Sequence, residues 1–126
     1  MPVLLQVALG GAIGASLRFL SGAMILRAMG GGFPYGTMFV NVIGSLLMGF
    51  LAFYLLERMD GSFAKYAPFL MTGLLGGFTT FSAYSLDALY LLERGRYASA
   101  SVYMGGSVAL AIGALFLGMT IARSLT

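Results

Sequence analysis

Residues 74–85 read LLGGFTTFSAYS. The stretch lies within an uncharged run that extends from 66 to 86, yet it holds two glycines, two threonines and two serines. Glycine alone costs about 1 kcal/mol against alanine in a helix interior. In hydrocarbon every backbone polar group must be satisfied internally, so non-helical chain at that depth is tolerated only where protein buries it or a cavity receives it. Gly76-Gly77 followed by Thr79-Thr80 is therefore expected to break a membrane-spanning helix. Beyond the break, Phe81 and Tyr84 are three apart and share one face. A glycine kink packed by aromatics is the plainer reading of the same spacing.

The rest of the chain is built for lipid. Of 126 residues, 60% are hydrophobic and 9% charged, with mean hydropathy +0.95; soluble domains carry roughly 25% charged residues. Uncharged runs cover 1–17 (resuming after Arg18 to Leu26), 36–56, 66–86 and 97–122. Each supplies the ~20 residues that a helix needs to cross about 30 Å of hydrocarbon. The expected fold is an all-α membrane protein, a single domain over 1–126 with four transmembrane helices at about 2–26, 36–56, 66–92 and 97–122, the third broken near its middle. No Lys or Arg precedes the first run, which argues against a cleaved leader. Without Cys or His, disulfide and thiolate chemistry are excluded. The net charge of +3 is spread over loops, too sparse for nucleic acid.

Charge placement bears on topology. Arg58, Lys65 and Arg123 fall on one expected side, Arg27, Arg94 and Arg96 on the other, with Arg18 making it three against four if it lies near an interface. Orientation is normally set by a cytoplasmic Lys/Arg excess, and here there is almost none. Either one unnoticed charge decides, or the chain inserts both ways and pairs as an antiparallel dimer. Two inverted copies would supply the two-sidedness that many transport folds obtain from inverted repeats. Gly10 with Gly14, and Gly105, Ala109 and Gly113, form small-residue rows that let helices approach closely, within one subunit or between two.

Polar residues inside the spans fall into register. Thr37, Asn41 and Ser45 are four apart on the second helix, and Ser99, Tyr103 and Ser107 on the fourth, so each set shares a face. A buried Asn is expensive in lipid and reads as helix glue or as part of a solute pathway. Asp87, near the end of the third helix, is expected to face water or pair with an arginine. The central parts of the second, third and fourth helices hold no charge, which disfavours a proton-coupled cation exporter. A pathway of amide, hydroxyl and ring-edge groups suits a small anion, since all three present positive partial charge.

Three segments, GGAIGASLRF at 10–19, GTMFVNVIGSLLMG at 36–49 and GGFTTFSAYS at 76–85, resemble the Fluc (CrcB) fluoride channels, and with the four-helix layout the likeness covers essentially the whole chain. The resemblance implies no enzyme but a dual-topology antiparallel homodimer in the bacterial inner membrane, passing fluoride passively out of the cytoplasm through two antiparallel pores. It implies a structural Na⁺ at the dimer centre, held by the backbone carbonyls of Gly76 and Thr79 from each subunit. It implies a fluoride pathway along Phe81 and Tyr84 with Asn41, Tyr103 and Ser107 as polar stations; Arg18, Thr37, Thr80 and Ser82 match motif positions as supporting residues. Two departures stand out: Tyr84 replaces the family's usual Phe and Ala83 its usual Thr. Ala111 also ends a polar track that some members continue. The alternatives are a small dual-topology exporter of cationic compounds and a non-conducting membrane assembly subunit.

Overall fold

The computed structural model describes residues 1–57 and 64–125, and those residues form helices and short connections without strands. Arg58, counted above in the charge balance, lies outside them. Helix α1 runs Val3–Met29 behind Pro2. It stops at Gly30, whose φ of 79° is one that side-chain-bearing residues rarely adopt. Helix α2 spans Tyr35–Leu51 behind Pro34 and continues in wider, π-type turns over Ala52–Glu57. A 3₁₀ turn at Ala64–Tyr66 leads into α3, π-type over Pro68–Leu75 and regular over Gly76–Phe78. Pro68 sits in the first turn, where its missing N–H leaves no intrahelical bond unmade. After two extended residues, α4 runs Phe81–Glu93. Gly95, at φ 74°, turns the chain into α5, Tyr97–Ser124.

Among the described residues three helices are long and apolar enough to cross a membrane: Val3–Met29, Tyr35–Leu56 and Tyr97–Ser124. Neither half of the broken segment is long enough to cross a bilayer alone at 1.5 Å per residue. The break is displaced from the glycine pair. Gly76 keeps helical dihedrals, φ −62° and ψ −37°, and the chain leaves the helix at Thr79 (ψ 159°) and Thr80 (φ −154°, ψ 125°). The β-branched threonines are comfortable in extended chain. The glycines have another task.

That task is close packing. In lipid there is little hydrophobic drive between helices, so association rests on contact area and small residues. Helix α1 lies against α3, and α5 along α2. A Cβ on Gly77 would stand 2.7 Å from the Gly11 carbonyl oxygen, and one on Gly73 3.0 Å from the Gly10 Cα. Likewise a Cβ on Gly49 would strike the Leu115 carbonyl, and one on Gly118 the Leu46 carbonyl. Of the two small-residue rows expected from spacing, Gly10 and Gly14 pack within the subunit. Gly105 and Gly113 meet open space, beside the exposed Val102, Ile112 and Phe116 of α5. A buried cluster of Ala88, Leu91, Ala100 and Tyr103 joins α4 to α5.

Two arginines make contacts near the helix ends. The Arg96 Nη1 donates to the Gly32 carbonyl, joining the α1–α2 and α4–α5 connections at one end. At the other, the Arg123 guanidinium stands 5.6 Å from the Phe53 ring.

Candidate functional site

The site is built around the two extended residues between α3 and α4. Breaking a helix frees N–H and C=O groups that lipid cannot satisfy, and Asn41 takes up the pair at Thr80. Its Nδ2 donates to the Thr80 carbonyl at 2.9 Å, and its Oδ1 accepts the Thr80 N–H at 2.7 Å. The side chain of Asn41 thus stands in for a strand of backbone. Thr80 in turn caps α4, its Oγ1 accepting the Ala83 N–H at 3.2 Å, as an N-cap threonine does. Ser82 Oγ lies 3.2 Å from the same hydroxyl. On the α3 side, Thr79 Oγ1 donates to the Leu75 carbonyl at 2.9 Å, and Arg18 Nε reaches from α1 to the Gly77 carbonyl at 3.0 Å.

These bonds have a consequence for two carbonyls. In a continuous helix the N–H of residue i+4 closes on the carbonyl of residue i, so Thr80 N–H would serve Gly76 and Ala83 N–H would serve Thr79. Both are diverted, to Asn41 Oδ1 and to Thr80 Oγ1. The Gly76 and Thr79 carbonyls thereby lose their helical partners, as those of Gly77 and Phe78 do at the same break; of the four, the Gly77 carbonyl is taken by Arg18.

Beside the break lies a cavity of about 290 Å³ lined by Asn41, Ser45, Thr80, Phe81, Tyr84 and Ser107 above apolar Met48 and Leu115. Among the described residues no charged side chain lines it. Phe81 is 78% exposed at the chain surface, its ring centroid 5.5 Å from that of Tyr84. Tyr84 is followed by Tyr103 at 5.3 Å, and Tyr103 meets Phe33 edge-on at 5.5 Å. The aromatic column thus continues inward from the surface. Ser107 is buried, and its Oγ finds no hydrogen-bond partner among the described residues. A buried hydroxyl without a partner carries a desolvation cost of about 1–3 kcal/mol, which a bound polar species would relieve.

The residues expected to act together divide into two groups. Asn41, Thr79, Thr80, Phe81, Tyr84 and Ser107 share the cavity wall. Tyr103 is fully buried and stands behind Tyr84, and Thr37 lies outside the cavity wall. Arg18, Thr37 and Thr80 border a second cavity, about 340 Å³, between α1, α2 and α4. Gly76 is exposed, and Thr79 is half-buried.

One residue needs correction. Asp87 was expected to face water or an arginine. Its Oδ2 instead accepts from Thr37 Oγ1 at 2.7 Å and from the Tyr103 hydroxyl at 3.3 Å. The signal was there in the spacing: Thr80, Tyr84 and Asp87 fall at i, i+4 and i+7, one face of a helix, opposite Thr37 and Asn41. Tyr84 also donates its hydroxyl to the Met104 carbonyl at 2.9 Å, a backbone partner that no side-chain pattern announces.

Fold and site together define a multi-pass helical membrane protein in which a broken helix borders a largely apolar cavity carrying a few neutral polar groups. The chain belongs to the CrcB family: the family described as CrcB-like protein, Camphor Resistance (CrcB), matches residues 5–119. It is 57% identical over 120 residues to a protein of Ruegeria sp. (strain TM1040), covering 94% of this chain and 93% of the other. It is 55% identical over 120 residues to one of Cereibacter sphaeroides (strain ATCC 17029 / ATH 2.4.9), covering 95% and 94%, and 48% identical over 122 residues to one of Rhizobium meliloti (strain 1021), covering 97% of each. All three relatives are named fluoride-specific ion channel FluC. With several helices fit to span a bilayer and bacterial relatives along its whole length, the chain is a multi-pass protein of the inner membrane.

Proposed function

We propose that the chain is a passive, fluoride-selective ion channel, working as an antiparallel homodimer of four-helix subunits with two pores. The observation that carries this reading is the uncharged cavity at the break, in a chain about half identical to channels named for fluoride. Fluoride is small and tightly hydrated, so a selective pore has to replace its water without holding the ion too firmly. The Asn41, Thr80 and Ser107 groups, with the ring edges of Phe81 and Tyr84, offer weak positive partial charge. Tyr103 backs this wall from α5. Export follows from physics: a negative-inside potential drives an anion outward with about 2.3 kcal/mol per 100 mV, and neither nucleotide nor coupled proton is required.

The implied sodium fits the residues present. Unwound backbone carbonyls are the oxygen donors that membrane proteins use for this cation, and the Gly76 and Thr79 carbonyls have lost their helical partners to Asn41 and Thr80. When bound between two copies, the ion supplies positive charge that offsets the repulsion of the facing dipoles. Asn41 and Thr80 take the N–H groups that a continuous helix would give those carbonyls, and Arg18 bonds the neighbouring Gly77 carbonyl.

The described residues that line the cavity are uncharged, whereas an exporter of cationic compounds would want a carboxylate there. The deciding measurement is anion efflux from liposomes holding the purified protein. Fluoride efflux without chloride efflux is the expected result. Silence for both ions indicates a non-conducting assembly subunit, and proton-dependent uptake of an organic cation indicates the exporter.

A further inference from the structure

The side of α2 turned away from the break carries a groove with no part in the ion pathway. Its volume is about 550 Å³, and it lies between α1, with Met24 and Met29, and α2, with Met38, Phe39, Val42 and Ile43. Met24, Met29 and Phe39 are exposed, so the groove opens on the outer surface of the chain. The cavity at the break takes Asn41, Gly44, Ser45 and Met48 from the same helix. At 3.6 residues per turn the two rows stand about 140° apart around α2. A second copy that docks at the break approaches α2 from the other side.

We propose that this groove holds an acyl chain of an anionic phospholipid, with the lipid phosphate beside Arg27. The inference needs only the membrane reading of the fold and stands whether or not the chain conducts fluoride. Length supports it. From Tyr35 to Ile43 the α2 wall runs about 12 Å at 1.5 Å per residue, close to the ~15 Å that one leaflet contributes to a 30 Å core. The lining supports it as well, because methionine is unbranched and adapts to an irregular apolar guest. Tyr35 borders the groove where α2 begins, and tyrosine is enriched at the level of the headgroups. Arg27 stands in the last turn of α1, three residues on from Met24 and so on the same strip of that helix. It is exposed and has no hydrogen bond or ion pair among the described residues. The same end of the molecule holds Arg94 and Arg96 against Glu93, a positive balance that draws anionic headgroups. In an antiparallel pair the groove would occur once in each leaflet.

The chain has no tryptophan, so Phe39→Trp places a single fluorescent reporter in the groove. The variant is reconstituted in phosphatidylcholine vesicles, and chain-brominated phosphatidylglycerol or chain-brominated phosphatidylcholine is titrated in. A brominated chain in contact with the indole quenches it. Half-quenching is expected at about fivefold lower mole fraction of the phosphatidylglycerol, the scale of one arginine near a membrane surface. Arg27→Gln in that background should bring the two titrations together, and Arg27→Lys should keep most of the separation. Equal quenching by both lipids with Arg27 in place makes the groove ordinary lipid contact and overturns the proposal. A preference that survives Arg27→Gln overturns it too. An indole that neither lipid quenches, in protein shown to be assembled, means that a second copy covers the groove and the lipid does not. Should Phe39→Trp fail to fold, Tyr35→Trp carries the same titration from the outer end of the groove.

Discussion

Asn41 carries more of the broken segment than any aromatic residue does. It satisfies both the N–H and the C=O of Thr80, so Asn41→Leu strands two backbone groups at membrane depth, each costing about 1–3 kcal/mol. The variant is expected to melt lower in detergent and to lose fluoride efflux; unchanged melting would mean that the break is held by something else. Phe81 poses the complementary question, because it is 78% exposed on one subunit and contributes little to the fold of that subunit. Phe81→Ile keeps bulk and hydrophobicity but deletes the ring edge, and should cut fluoride efflux strongly with the dimer intact. Wild-type flux from well-assembled Phe81→Ile would remove ring edges from the mechanism at this position. Tyr84→Phe deletes one neutral hydrogen bond to the Met104 carbonyl, worth about 1 kcal/mol, and should stay within about an order of magnitude of wild type in flux.

Among the elements, α3 is packed by its glycines and α4 by its polar face. Gly77 and Gly73 press backbone against α1, so Gly77→Leu would drive a side chain into the Gly11 carbonyl and should misfold the subunit. Gly76, one residue earlier, is a different case. It is exposed, and the nearest atom to an added Cβ is the Met71 carbonyl oxygen at 3.6 Å, an ordinary contact. Gly76→Leu should therefore leave the single subunit folded. If that variant nevertheless loses dimer content and efflux, the loss reports a second copy at this face. Full activity with normal dimerisation would argue against a sodium site at the break. The break itself was legible in the sequence to within three residues, because glycine, threonine and serine crowd one apolar run. Its exact place was not: the glycines keep helical dihedrals under the close approach of α1, while the threonines carry the extended chain.

At the level of the whole molecule, the charge balance remains the informative feature. Lys65 and Arg123 stand against Arg27, Arg94 and Arg96 among the described residues, with Arg58 outside them. Lys/Arg asymmetry sets orientation, and a chain without it should display tagged termini on both sides of the membrane in similar amounts. Adding two or three lysines near Gly31 should fix one orientation and lower efflux until an oppositely biased copy is co-expressed. Uniform insertion of the unaltered chain would defeat the antiparallel arrangement.

The sequence by itself determined the solvent, the helical class and the family, since each depends on residue types in bulk or at fixed spacing. Uncharged runs as long as a bilayer is thick admit few alternatives to helices, and Thr37, Asn41 and Ser45 had to share a face wherever that face pointed. The tertiary structure alone decided partners. Asn41 proved to be a brace for Thr80 as well as part of the cavity wall, and Asp87 an acceptor for two hydroxyls instead of a partner for an arginine. Tyr84 found a backbone carbonyl, and Ser107 Oγ was left buried without a partner among the described residues. Hydrogen bonds between helices join residues tens of positions apart, and their geometry is set by how closely the glycines let the helices approach. Helical periodicity says which side a residue is on; only packing says what it meets there.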